Sequence, residues 1–166
     1  MNRRDMLALM LGASVVAATG CDPDESVVVA GANTAGNLAL STWFALDAPD
    51  DAVVRALDEI VGYVSAATVD LGAGESFVDA VMPQIQKAIS GNDKLTPAQR
   101  NLVNTGSVVI LNGLDAYIAT NERVHGNVAL TARVVASFVS GCRSAISVVR
   151  PAQRARLARA HALITR

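Results

Sequence analysis

Aromatic residues, cysteine and histidine are scarce in this chain of 166 residues. Aromatic residues make up only 4% of it, and there are two cysteines and two histidines. So few aromatic rings argue against a stacking platform for sugars or bases. The hydrophobic share is nevertheless 51%, supplied mainly by alanine, valine, leucine and isoleucine. That composition favours the close packing of helices.

Catalytic and metal-binding motifs are lacking as well. Neither His125 nor His161 lies in an HExxH pattern, and no cysteine stands at a metal-ligand spacing from either. The chain has no GxSxG, SxxK or Walker-type loop. Two carboxylate pairs, Asp50–Asp51 and Asp58–Glu59, suit a helix start or a solvated face. We therefore predict no catalytic residue, no metal site and no cofactor, while an enzyme of unfamiliar type stays open.

Acidic residues are absent from the last part of the chain. No acid follows Glu122, whereas eight arginines do. The net charge of −1 gives no bulk attraction to nucleic acid, so we expect no nucleic-acid partner. Either these basic helices pair with the earlier acidic ones, or they form a basic face for anionic headgroups. The possible basic contact surface comprises Arg150, Arg154, Arg156 and Arg159.

The first twenty residues have the pattern of a secretion signal. Arg3 and Arg4 give a positive start, and an apolar run of about a dozen residues follows over 6–18. That run is short for a permanent membrane span, which needs about 20 residues. Small residues close the segment at 17–20. We predict that residues 1–20 are a signal peptide that is cleaved.

The end of this segment resembles a bacterial lipobox. Ala18, Thr19 and Gly20 are the three small residues before Cys21, and Ala18 stands where that family most often has leucine. The resemblance implies that Cys21 receives a diacylglycerol thioether, becomes the first residue of the mature chain and is often N-acylated. Asp22 resembles a sorting signal for inner-membrane retention. The membrane is thus the expected partner, through lipid on Cys21, with the chain facing the periplasm or the exterior.

The start of the chain also resembles a twin-arginine export motif. Residues 2–7 read NRRDML, which is a pair of arginines, a polar residue and two apolar residues. The resemblance implies a route that carries folded proteins. An ordinary signal with two arginines at its positive end is the alternative.

If Cys21 is acylated, Cys142 has no intramolecular cysteine partner. It lies in an apolar stripe between Val139 and Ile146, which predicts a buried small hydrophobic residue. A nucleophilic role is the less favoured alternative.

Hydrophobic periodicity predicts an all-α chain. We expect a lipidated tether over 21–31, with a short extended piece at 27–29, and a helical domain over 32–166. The uncharged run over 26–46 is too weakly apolar for a membrane span and predicts a buried helix over about 32–46, anchored by Trp43 and Phe44. A second helix, amphipathic, should run from about Pro49 to near residue 70.

Four further helical segments follow. The helix over 75–90 should kink or break at Pro83 and end at Gly91. A capping box at Thr96 starts the next helix, in which Gly106 and Gly113 lie on one face and indicate close approach of another helix. The last helices should run over 128–149 and 152–165, with a break at Arg150–Pro151.

These patterns predict a single compact antiparallel bundle of about five or six helices after a cleaved signal peptide. With the lipobox, they favour a lipid-anchored envelope protein that acts as a binding or scaffolding module, with a possible envelope protein partner. A carrier of a small apolar ligand in the envelope is the alternative, and an enzyme is less favoured.

Overall fold

Five α-helices make up the part of the chain that the structure, a computed structural model, describes. It describes residues 24–66, 76–124 and 126–164, and side chains as far as residue 149. No strand occurs in these ranges, so the prediction of an all-α bundle with five or six helices is confirmed. The helices are α1 (Glu25–Asp47), α2 (Asp51–Ala66), α3 (Phe77–Ser90), α4 (Pro97–Ala119) and α5 (Val128–Ile164).

The hydrophobic core lies between helix faces that the sequence periodicity identifies. The helix α2 is amphipathic, as predicted, and the apolar residues at three- and four-residue spacing are buried: Val53, Val54, Leu57, Ile60, Val61 and Val64. The predicted anchors of α1, Trp43 and Phe44, are buried too, with ring centroids 5.5 Å apart. Burial of these side chains is the main favourable term for such a bundle.

The predicted capping box at the start of α4 is confirmed. The Thr96 hydroxyl accepts a hydrogen bond from the Gln99 amide at 3.3 Å, and the Gln99 side chain accepts one from the Thr96 amide at 2.8 Å. Pro97 occupies the first helical position, where its missing N–H costs no hydrogen bond. Gly91 caps the C-terminus of α3, as predicted.

The glycines of α4 mark the predicted close approach of other helices. A β-carbon built at Gly106 would lie 2.9 Å from Leu57 Cδ2 and 3.3 Å from the Trp43 ring. One built at Gly113 would lie 3.3 Å from Ala39 and from Phe138. The two glycines therefore let α1, α2 and α5 pack tightly around α4.

The helix α1 begins earlier than predicted. It starts at Glu25, so the predicted extended piece at 27–29 is helical and the domain boundary placed after residue 31 falls inside a helix. Glycine disfavours an isolated helix, so the segment around Gly31 and Gly36 has only a weak local preference for helix. Packing against α5 overrides that local preference, because a β-carbon at Gly36 would overlap the backbone of Phe138.

The predicted break at Arg150–Pro151 is wrong, and of the kink or break predicted at Pro83 the break is wrong. α3 continues through Pro83, and α5 continues through Pro151 over 37 residues. A proline removes the hydrogen bond to the carbonyl four residues earlier, which here belongs to Asp79 or to Ser147. Both of those residues are exposed, so water can satisfy the freed carbonyls. The end predicted for α2 near residue 70 lies outside the described residues.

The helices α1 and α5 run parallel to each other and share the longest contact in the bundle. Glu25 pairs with Arg133, Val29 with Ser137, and Gly36 with Cys142, so the partners advance in the same direction along both helices. α4 runs antiparallel to α1, because Gly106 meets Trp43 while Tyr117 meets Val28. This register shows which helix ends lie together at each end of the bundle.

We expect Gly141→Ala to destabilise the bundle. A β-carbon there would overlap the backbone carbonyl of Asn33, and overpacking of a tight core typically costs about 1–3 kcal/mol. Gly62→Ala is the matched control, since a β-carbon at Gly62 would meet nothing within 4 Å. The control should be neutral or more stable by up to ~1 kcal/mol, because alanine is the better helix former.

Urea unfolding followed by circular dichroism measures both free energies of unfolding. Equal effects of the two substitutions would show that α1 and α5 do not touch at this point.

Candidate functional surface

The start of α1 is fixed to two other helices. The Glu25 carboxylate forms an ion pair with Arg133 of α5 at 2.9 Å. The Tyr117 hydroxyl of α4 donates a short hydrogen bond to the Val28 carbonyl, and burial raises the pKa of Tyr117. The chain that precedes Asp24 is therefore joined directly to a rigid part of the bundle.

Hydrogen bonds between polar groups hold α1 against α5, and glycines without a side chain let the two helices approach closely. The Ser137 hydroxyl donates to the Val29 carbonyl at 2.6 Å, and the Asn33 amide donates to the Ser137 carbonyl at 3.3 Å. Further along the pair, the backbone of α1 touches that of α5 at Gly36 and Gly141. Hydrogen bonds from serine and asparagine across a glycine contact fix both the spacing and the register of the pair.

The residues that the sequence assigns to export and lipidation lie outside the described residues. These are Arg3, Arg4, Cys21 and Asp22. Their roles stay predictions. The structure begins three residues after Cys21, at Asp24, which is exposed and accepts a hydrogen bond from the Ser26 hydroxyl.

The predicted basic contact surface stays a prediction as well. Its four arginines (Arg150, Arg154, Arg156, Arg159) belong to α5, but their side chains lie outside the described part. Arg133 does pair with Glu25, which is one instance of a basic helix meeting an acidic one. His125 lies outside the described residues, and so does the side chain of His161.

Cys142 is a buried core residue, as predicted. It has no exposed surface, and its Sγ lies 3.4 Å from the Gly36 carbonyl, to which the thiol donates. Burial raises its pKa to about 12. A thiol reacts as the thiolate, so this environment suppresses the nucleophilic alternative.

Of the two carboxylate pairs, Asp50–Asp51 lies at the start of α2 and Asp58–Glu59 lies within that helix. Asp50 accepts hydrogen bonds from the amides of Ala52 and Val53, both at 3.0 Å, and so caps α2. It also accepts one from the Gln99 side chain at 2.7 Å, which joins the starts of α2 and α4. Partial burial raises the pKa of Asp50, but these hydrogen bonds and the nearby Arg55 outweigh it, so the net pKa is lowered. Glu59 is exposed.

A second capping carboxylate, Asp115, has no signal in the sequence. Its oxygens accept hydrogen bonds from the Ser76 hydroxyl at 2.6 Å and from the amides of Phe77 and Val78 at 2.7 and 3.3 Å. Asp115 thus caps the start of α3 from α4. A partner 39 residues away leaves no local pattern in the sequence.

One buried polar atom of the core lacks a partner. Trp43 Nε1 is buried and donates no hydrogen bond in the described structure. An unpaired buried donor costs about 1–3 kcal/mol. An acceptor on a water or on a bound molecule would satisfy it.

Within the described ranges, no group of three or more histidine, cysteine or acidic residues is placed to hold a metal ion. Two described segments are long and apolar enough to cross a membrane by length and composition: Pro97–Ala119 and Val128–Val149. Their most apolar windows are 50% and 44% buried inside the bundle. Core helices of globular domains pass the same test.

Comparisons with protein-family models, with curated proteins and with solved structures gave no match for this chain.

Cys142 should react with iodoacetamide far more slowly in the folded protein than in the unfolded one. At pH 8 a pKa near 12 leaves about a thousandfold less thiolate than the ordinary value near 8.5. Mass spectrometry of the Cys21→Ser protein, which has one thiol, measures the rate with and without urea. A folded rate within tenfold of the unfolded rate would contradict the buried position.

Asp50 should stabilise the fold at neutral pH and lose that effect in acid. Its folded pKa is lowered, so the unfolded chain binds the proton more readily and stability falls as the pH drops below about 3.9. Asp50→Asn keeps a capping oxygen but removes the charge. We expect it to be less stable than the native protein by under ~1 kcal/mol at pH 7, with a smaller difference at pH 2.

Urea unfolding at the two pH values measures this difference. Asp93→Asn is the control, because the Asp93 side chain is fully exposed and lies 4.0 Å from Arg100. A difference for Asp50→Asn that is the same at both pH values would rule out a role for its charge.

Proposed function

We propose that this chain is a lipid-anchored protein of the bacterial envelope whose helical bundle acts as a binding or scaffolding module. The observation that carries the proposal is the position of Cys21 relative to the fold. The lipobox-like segment ends at Cys21, only Asp22 and Pro23 separate it from Asp24, and α1 begins at Glu25. A folded domain that starts directly after the acylated cysteine is held at the membrane without a stalk.

The packing of the two apolar helices supports attachment by lipid. Both segments contribute about half of their most apolar window to the core of the bundle. α4 buries Ile110, Leu111 and Leu114 completely. Exposing those side chains to lipid would take the core apart, whereas two or three acyl chains on Cys21 would hold the folded bundle stably.

The interior of the described part of the chain supports a binding role over a catalytic role. Its buried side chains are almost all apolar, and Ser107 is a fully buried polar residue that bonds within its own helix to the Val103 carbonyl. Cys142 is held as a neutral thiol. The function therefore belongs to the surface, where the basic residues Arg150, Arg154, Arg156 and Arg159 are the proposed contact for an envelope partner.

Intact-mass measurement of the protein extracted from bacterial membranes tests the anchor. We expect a mass equal to residues 21–166 plus two or three acyl chains. Cys21→Ser should abolish the acyl mass and the membrane fraction together, because serine offers no thiol to alkylate.

Cross-linking of intact cells tests the proposed binding role of the bundle. Cross-linked species that are present with the acylated protein and missing with Cys21→Ser would fit a module that works at the membrane. A full-length mass without acyl chains would overturn the proposal.

A further inference from the structure

The register of α1 and α5 fixes which end of the bundle meets the lipid, given the acylation of Cys21 on which this inference rests. We propose that the bundle stands on the membrane surface with its anchor end, defined as Val27, Val128, Ala129 and the turn residues 120–124, 126 and 127, against the lipid. The two parallel helices α1 and α5 then lead away from the membrane. The lipid surface is the occupant of this end face.

The tether leaves little freedom for any other end to approach the lipid. Three residue steps join Cys21 to Asp24, and an extended chain spans at most about 11 Å over them. The helix that follows is fixed to α4 by the bond from Tyr117 to Val28 and to α5 by the pair of Glu25 and Arg133. The acyl chains and the start of α1 therefore lie at the same end of a rigid body.

The start of α5 projects beyond the start of α1. Arg133 is level with Glu25, and Val128 precedes Arg133 by five residues, or about 7.5 Å along a helix axis. Val128 consequently lies about 7.5 Å beyond the level of Glu25. It stands at the outer edge of the same end of the bundle at which α1 begins.

The surface of the anchor end suits an interface with lipid. Val27 is 52% exposed and Val128 is 63% exposed, and both lie on the first turn of their helices. Glu25 is neutralised by Arg133, and Glu122 and Arg123 bring opposite charges to the turn. The end face thus presents two exposed apolar side chains beside two pairs of opposite charge and the exposed Asp24 carboxylate, and a layer of zwitterionic headgroups can cover it without strong repulsion.

The turn itself is held firmly in place. Asn127 caps α5 by accepting from the Leu130 amide at 3.0 Å, and the Thr131 hydroxyl donates to the Val124 carbonyl at 3.1 Å. Val124 is buried beneath the turn. The anchor end is accordingly a shaped surface and keeps its form against the membrane.

The same register places the proposed basic contact surface far from the lipid. Arg150 and Arg159 follow Arg133 by 17 and 26 residues, which places them about 26 and 39 Å further along a helix axis. In this orientation these positions of α5 lie on the aqueous side, where a protein partner would be found. Their alternative role as contacts for the headgroups of the anchoring membrane is disfavoured.

Two cysteine variants on one helix test the orientation. Val128→Cys and Val148→Cys replace exposed valines of α5, at 63% and 71% exposure, that lie about 30 Å apart along the helix. Each acylated protein is purified from membranes, labelled with the fluorophore NBD and placed in phosphatidylcholine vesicles with or without doxyl-labelled lipid. Cys142 is buried and should not take the label.

The expected result is quenching by the doxyl lipid at least threefold stronger at position 128 than at position 148. Equal quenching would mean that the bundle lies along the membrane, and stronger quenching at 148 would mean that it is inverted; both overturn the orientation and leave the proposed anchor intact. Absence of quenching at both positions in an acylated protein also overturns it. A protein whose intact mass shows no acyl chain overturns the anchor and the orientation together.

Discussion

The contact of two backbones at Gly36 and Gly141 is the constraint on which the rest of the bundle depends. Neither residue carries a β-carbon, so α1 and α5 approach until the chain of one touches the chain of the other. At that spacing Ser137 reaches the Val29 carbonyl and Asn33 reaches the Ser137 carbonyl. The register of the pair is thereby set, and with it the ion pair of Glu25 with Arg133 at the start of both helices. Larger residues at the two glycines would separate the helices and break all of these contacts.

The sequence predicts the features of this fold that depend on local signals. The inner face of α2 follows from its spacing of valine, leucine and isoleucine, and the start of α4 follows from the capping box of Thr96 and Gln99. The tight packing around Gly106 also has a local sign, because glycine inside a helix is costly unless something needs the space. These elements are specified within a few residues of chain.

Features of the fold that depend on residues distant in the sequence were not predicted. The first turns of α1 contain Gly31 and look weak in isolation, but they are completed by α5, more than a hundred residues later. Asp115 caps α3 across 39 residues of chain. The prolines at 83 and 151 lie in helices because the carbonyls they leave unbonded belong to exposed residues, and exposure on the folded surface has no sign in a local pattern. Acylation of Cys21 and the basic contact surface at Arg150, Arg154, Arg156 and Arg159 stay predictions, and the local pattern does not show how far apart along the bundle these positions lie.

If Cys21 is acylated as proposed, the short tether and the rigid first helix would together orient the bundle on the membrane. A long flexible linker would let any face of the domain meet the membrane, since its end-to-end distance grows with the square root of its length. Here three residue steps join Cys21 to a helix that is clamped by Tyr117 and Arg133. In the proposed orientation, the charge asymmetry of the sequence would run along the membrane normal, because the arginines at positions 150–159 follow Arg133 by 17 to 26 residues along α5. A partner that recognises those arginines would meet them at the far end of the bundle, beyond the Debye length of about 10 Å at which headgroup charges are screened.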